Sequence, residues 1–427
     1  MSLQKDFVPI FLAVGLLFFT VSSAEETPRK DDFRIAWLKQ HAIPLRSIDP
    51  NDEDFSDLEP LLKVLRDVRI VQLGEQSHGD GATFHAKTRL IKFLHQELGF
   101  DVLAFESGLY TCRKAWELLQ GGMEPHKAFS HGVLGIWSGS EQVRLLIDYW
   151  GRVAKSQQPL ELCGFDCQLS DWAFHDLLVE DVNALWDKLG PAAPAAGQRD
   201  AIAETLSKLD HWYDPGPQER QQWHQAMAAW CKSLETARPS DALPQAELEF
   251  WRRVAAGCTW LTAIWGLRSH APDDFRPQQM ASNLVWLART VYPKRKIIVW
   301  AASSHLLRNP PPEWGVKMGH EVWKVLGTQT YAVGFTAAEG EYKGWFWDKA
   351  GQLEPPAPGS LEDLFVRAGF DNAFLDFRHL GPDGAWLEEK LVARPFGYAN
   401  DEANWSDMLD GIVFTKKMFP STKRKED

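Results

Sequence analysis

Val68-Arg69-Ile70-Val71-Gln72-Leu73-Gly74-Glu75-Gln76-Ser77-His78-Gly79 is the stretch whose reading decides the fold. A short run rich in β-branched and apolar residues gives way to polar residues bracketed by glycines. An amphipathic pattern at helical period follows over residues 84–98, and then a second strand-like run over 102–106. Two strands joined by a helical crossover lie parallel. The alternation recurs along the chain: 160–166, 296–303, 331–335, 373–377 and 411–415 read as strands, and 141–155 and 277–290 as helices. The expectation is an α/β fold, a mainly parallel sheet with flanking helices, whose ligands sit beyond the carboxyl ends of the strands.

Residues from about 171 to 270 interrupt the alternation. They carry helical patterns such as 218–234 and 247–261 and no credible strand, so they read as a helical insertion. Its tryptophans at 172, 186, 212, 223, 230, 251, 260 and 265 are expected mainly to pack helices, with some walling a cleft beside the sheet.

The ends of the chain and its charge set the context. After Lys5, residues 7–21 are apolar apart from Pro9, Gly15 and Thr20. Small residues at Ser22 and Ala24 then precede the polar Glu25-Glu26. Residues 1–24 therefore read as a cleaved secretory signal, residues 25–427 as the exported domain, and the destination as periplasmic or extracellular, with no stable membrane span after cleavage. With 58 acidic residues against 46 basic ones the net charge is −12, so nucleic acid is a poor partner and a small molecule a better one. The five cysteines, at 112, 163, 167, 231 and 258, are an odd number, which leaves at least one thiol unpaired.

Chemistry should lie where strands end. The first strand delivers Glu75 and His78 there, the second delivers Glu106, and the strand ending at Trp300 leads into Ala301-Ala302-Ser303-Ser304-His305. Two carboxylates and two imidazoles at one edge suit acid–base catalysis: a carboxylate-oriented histidine takes a proton from water, and a second imidazole or a cation meets the charge that develops on the attacked carbonyl. The same four residues are a nitrogen–oxygen ligand set, so a metal-dependent hydrolase or peptidase is one alternative and an inactive binding protein another. No cofactor is expected, and a divalent metal, if present, would sit on Glu75, His78, Glu106 and His305. Ser77 adjoins His78, but no GxSxG elbow follows a strand and opens a helix.

At these residues the sequence resembles the erythromycin esterase family. The resemblance rests on GEQSHG at 74–79, the run at 102–107, Trp137, Gly164-Phe165-Asp166-Cys167-Gln168, Met280 to Trp286, Trp300-Ala301 with His305, and Leu409-Asp410 with Phe414, and it spans nearly the whole exported chain. It implies an α/β core and hydrolysis of an ester or lactone by water that His78 activates, with Glu75 and Glu106 as orienting carboxylates and His305 as a second active-site imidazole. The chain departs from the pattern at two places. Lys87 stands where the family usually has Arg, and Ala302-Ser303 stand where it usually reads His-Asn. Lys87, Arg89, Arg276 and Asn283 are the expected substrate contacts. The departures point to a substrate other than a macrolide and make a role in antibiotic resistance uncertain.

Overall fold

The computed structural model describes residues 26–169, 174–209, 215–267, 274–345 and 348–425, so the expected signal segment lies outside the described residues. Eleven strands are present among them: β1 (Ile43–Pro44), β2 (Ile70–Leu73), β3 (Phe100–Gly108), β4 (Glu161–Asp166), β5 (Lys296–Trp300), β6 (Thr330–Tyr342), β7 (Gly351–Gln352), β8 (Asn372–Asp376), β9 (Leu391–Ala393), β10 (Asp401–Ala403) and β11 (Gly411–Met418). Nine form one sheet in the order β1-β8-β11-β6-β2-β5-β3-β4, with β7 pairing to β6, while β9 and β10 make a separate pair. From β11 to β4 the strands run parallel, and β8 and β1 join that edge antiparallel. All seven strands expected from the sequence are present, because apolar runs buried on both faces give a signal strong enough to read.

Two-sided burial shows residue by residue. Ile70, Val102, Ala104, Ile297 and Val299 enter the apolar layer on one face, and Val71, Leu73, Leu103, Phe105, Ile298 and Trp300 the layer on the other. Each strand alternates sides with the pleat.

Among the described residues of 174–267 the structure contains helices and no strand: Phe174–Leu189, Ala196–Ser207, Pro217–Thr236 and Gln245–Leu267. Trp186, Trp223, Trp230 and Trp251 are buried in the first apolar layer, and Trp260 stacks on Phe275. These five rings pack within the fold, and Trp251 also lines a pocket with Tyr110 and Arg113. Trp172, Trp212 and the side chain of Trp265 lie outside what is described. All five cysteines are free thiols, four of them buried.

The functional edge is pulled tight by close approaches. At Gly164 a Cβ would stand 2.3 Å from the Gly108 carbonyl oxygen and 2.4 Å from that of Ser107, where the β3–β4 register shifts. Later residues lace the front of this edge: Ser421 N bonds Gly79 O at 2.6 Å, Ala82 N bonds Phe419 O at 3.3 Å, and Glu141 N bonds Thr422 O at 2.9 Å.

Gly164→Ala should therefore destabilise the protein by about 1–3 kcal/mol, the usual cost of forcing atoms into filled space. Gly197→Ala, which meets open space in a helix, should be neutral or stabilising by roughly 0.5 kcal/mol. Urea unfolding of the two variants checks this, and equal stability would show that β3 and β4 are not locked by that contact.

Candidate functional site

β2, β5, β3 and β4 are consecutive neighbours, with Leu73, Trp300 and Phe105 in register and Phe105 paired to Gly164. Their carboxyl ends therefore deliver Glu75, Ala301-Ala302, Glu106 and Asp166 side by side. The three carboxylates are essentially out of water, with side-chain exposures of 0%, 3% and 0% for Glu75, Glu106 and Asp166. An unpaired buried carboxylate is costly, so the surrounding groups must supply charge and hydrogen bonds.

Glu75 is fully engaged. Its Oε1 accepts from Trp137 Nε1 at 2.9 Å and lies 2.8 Å from His78 Nδ1, while its Oε2 accepts from Lys87 Nζ at 2.7 Å. Burial opposes a charge on the His78 ring, but the bond to Glu75 and that carboxylate's charge outweigh it, so the imidazole titrates above its ordinary value of 6.5. With Nδ1 committed to Glu75, Nε2 is the ring nitrogen left for a substrate. The ring lies between two indoles, the buried Trp137 at 5.4 Å and the exposed Trp345 at 5.6 Å. Ser77 Oγ donates to Lys343 O at 2.7 Å, and at Gly79 a Cβ would stand 2.5 Å from that same oxygen, so only glycine lets the segment carrying Trp345 close on the loop.

Glu106 sits at the centre of a second group. Arg276 Nη2 donates to Glu106 Oε1 at 2.9 Å and to Asp166 Oδ2 at 2.7 Å. His305 Nε2 is 3.0 Å from Glu106 Oε1, and the backbone N–H of Ala302 donates to Glu106 Oε2 at 2.8 Å. Burial alone would raise the Glu106 carboxyl, but His305 and Arg276 prevail and hold it well below the ordinary carboxylate range. The two groups meet at the end of β5, where Lys87 Nζ also approaches Ala301 O at 3.4 Å and Ser303 N bonds Glu75 O at 2.9 Å. Three carboxylates against Lys87 and Arg276 leave one positive charge to be supplied by the imidazoles.

The structure thus brings Glu75, His78, Glu106 and His305 to one edge, and Arg276 with them, as an ion-pair partner inside the cluster. Two expected contacts stand elsewhere, and a third lies in the site but out of reach of solvent. Arg89 points away, with its guanidinium bound to both Asp57 oxygens and to the carbonyls of Ser47, Asp52 and Asp54. Asn283 is a buried bracket, donating to Phe165 O at 3.0 Å and accepting from Arg253 and Gln279. Lys87 belongs to the site but is fully buried behind Glu75, its ammonium 3.9 Å above the Trp300 ring and drawn down to about 8 by burial, so it braces Glu75 rather than meeting a ligand.

Asp166, Trp137 and Trp345 were not singled out as site residues from the sequence. Asp166 ends a strand neighbouring the one that delivers Glu106, so the strand-end rule already contained it. Trp137 and Trp345 reach the site from connecting segments, which carry no such signal. Among the described residues no group of three or more His, Cys, Asp or Glu side chains is arranged to hold a metal ion. The donors explain it: Lys87, Trp137, Arg276 and the Ala302 N–H already occupy the carboxylate oxygens.

The erythromycin esterase family model matches residues 95–418. YbfO of Bacillus subtilis (strain 168), a protein with a provisional hydrolase name, is 29% identical, with 96% of each chain covered. Erythromycin esterase type II of Escherichia coli is 23% identical over 81% of this chain and 89% of that one. Among solved structures, a Bacillus cereus protein superposes with a TM-score of 0.74 at 19% identity, covering 92% of this chain and 99% of the other. An erythromycin esterase mutant in its open conformation gives a TM-score of 0.66 at 18% identity, covering 87% and 96%.

Because the Glu106 carboxyl is held low in the folded state, its ion pairs contribute stability that is present above the ordinary carboxylate pKa and lost as the pH falls below about 5. Urea unfolding between pH 7 and pH 3 should show a steeper acid limb for the wild type than for Glu106→Gln. Parallel limbs would mean that Glu106 is not paired in solution.

Proposed function

The chain belongs to the erythromycin esterase family, and from that premise we propose that it is a hydrolase that opens a carboxylic ester or lactone with water activated by His78. The observation that carries this reading is the Glu75–His78 pair, in which a buried carboxylate, itself braced by Lys87 and Trp137, fixes the Nδ1 side of a partly exposed imidazole. That arrangement orients Nε2 as a general base.

In the proposed reaction His78 Nε2 takes a proton from water as the water oxygen bonds to the carbonyl carbon. His305, held by Glu106, and the partly exposed Arg276 meet the charge on the carbonyl oxygen. Collapse of the tetrahedral intermediate breaks the bond to the alcohol oxygen, which takes the proton back from His78. The donor set supports chemistry without a metal, since the carboxylate oxygens are already occupied by cations and N–H groups. Addition of a chelator should leave turnover unchanged. The apolar run at residues 7–21 supports export of the protein, and no helix among the described residues is long and apolar enough to cross a membrane.

His78→Ala should cut turnover by roughly 10²–10⁴-fold on any accepted ester, with little change in melting temperature. Since a base must be neutral to act and His78 titrates above 6.5, wild-type turnover should rise with pH through neutrality. Glu75→Gln should move that rise to lower pH while reducing the maximal rate. Undiminished turnover in His78→Ala would remove His78 from the mechanism, and a wild type inert across a broad ester and lactone panel would point to a binding protein instead.

The substrate follows from the two departures. A planar guanidinium in place of Lys87 would grip Glu75 bidentately, and a histidine in place of Ala302 would add a donor beside Glu106. Losing one preorganised donor commonly costs about 10²–10³ in rate. We propose weak or absent macrolide opening and better turnover of another ester or lactone. The double variant Lys87→Arg, Ala302→His should raise macrolide hydrolysis. Efficient macrolide opening by the wild type would refute this assignment.

A further inference from the structure

Arg253, on the helix Gln245–Leu267, makes no ion pair with any described carboxylate, although the chain carries a net charge of −12. Its Nη1 donates to two neutral acceptors, Ser282 Oγ at 2.9 Å and Asn283 Oδ1 at 3.2 Å, and its guanidinium lies 5.0 Å from the centre of the Trp286 ring. Nε is buried with no hydrogen-bond partner, and Nη2 bonds no described residue. These two nitrogens share one edge of the guanidinium, the fork that takes a carboxylate. Burial works against the charge, and Glu249 alone counters it. A partly buried cation with a vacant fork is costly unless something supplies the missing partner.

Arg253 lines an open cavity of about 410 Å³ between its own helix and the helices Phe275–Trp286 and Met318–Leu326. That volume is of the size small molecules occupy. Directly after Trp286 the chain makes a π turn, Leu287–Val291, a rare departure that recurs at functional sites, and this turn supplies Arg289 to the wall. Arg289 donates only to a carbonyl, Val325 O, at 2.7 Å. The carboxylate in the wall, Glu321, is taken by Lys324 at 2.9 Å. Trp286 also lines the cavity; the ring is buried and its indole N–H has no acceptor. Val285 and the exposed Val325 make the remaining wall apolar. At about 3.6 residues per turn, positions 278, 282 and 285 lie on the face of their helix opposite Arg276, so the cavity is separate from the cluster at the strand ends.

We propose that this cavity is a second binding site, which takes a small amphipathic carboxylate: the acid sits on the Arg253 fork beside Arg289, and an aromatic or aliphatic body lies against Trp286, Val285 and Val325. A neutral ligand would leave both guanidiniums without counter-charge, and a bare inorganic anion would leave the apolar wall uncovered. The assignment does not depend on the role of His78.

Isothermal titration of the full chain with phenylacetate, its neutral amide and inorganic phosphate tests the site. Phenylacetate should bind the wild type, with the amide and phosphate each weaker by about ten-fold, the usual order for losing a charged hydrogen-bond partner or an apolar contact. Arg253→Gln should weaken phenylacetate binding by about ten-fold. Because Arg253 also bonds Asn283, it is paired with Val325→Glu, a change at an exposed position that sets a like charge beside the ligand and should weaken binding several-fold at an unchanged melting temperature. His305→Ala should bind phenylacetate as the wild type does. Absence of binding at about 20 mM, equal affinity for the amide or for phosphate, or undiminished affinity in either cavity variant overturns the site. A loss in His305→Ala as large as that in Arg253→Gln places the acid at the strand ends and overturns it as well.

Discussion

Three carboxylates withdrawn from water at the ends of adjacent strands would repel one another and would each lack solvation, so neighbouring elements must answer them. Glu75 draws an ammonium from the helix Gly81–Leu98 and an indole N–H from Trp137. Glu106 and Asp166 share one guanidinium from the helix Phe275–Trp286. Two cations against three anions leave the site one proton short of neutrality, and two histidines stand ready to take it. In the proposed mechanism the His78 imidazole, drawn toward charge by its surroundings, must lose that charge to act, a compromise between holding the edge together and making it reactive.

The same constraint explains what Lys87 does. A cation in a hydrolytic site suggests contact with substrate, but its ammonium is fully buried against Trp300, and its role is electrostatic support for the carboxylate behind the imidazole. In the proposed mechanism its influence on a ligand therefore passes through Glu75 and His78.

Much of this was legible in the sequence, and the reason is periodicity. Strands buried on both faces read as apolar runs, and the residues just past them fall at the carboxyl edge without further knowledge, which is how Glu75, His78, Glu106 and His305 could be named together. Asp166 obeys the same rule. Direction was not legible: Arg89 lies two residues from Lys87 on one helix, yet successive helical positions diverge in azimuth, and it reaches the polar loop around Asp57 instead. Asn283 likewise turned inward, to the carbonyl of Phe165. Trp345 belongs to a connection whose path depends on contacts with Ser77 and Gly79, and no local pattern encodes such a path. Among its described residues the tryptophan-rich stretch is helical, as expected, and Trp186, Trp223, Trp230 and Trp251 pack inward, as large aromatic surfaces do when another layer is available to cover them.

The lacing of residues 419–422 across Gly79, Ala82 and Glu141 has a consequence for biosynthesis. Residues 419–422 are translated after the His78 loop that they fasten. While the intervening sheet strands are still being made, the loop lacks its partners at Gly79 O and Ala82 N. The hydrogen bonds at Gly79, Ala82 and Glu141 are therefore completed only once residues 419–422 have been made and docked.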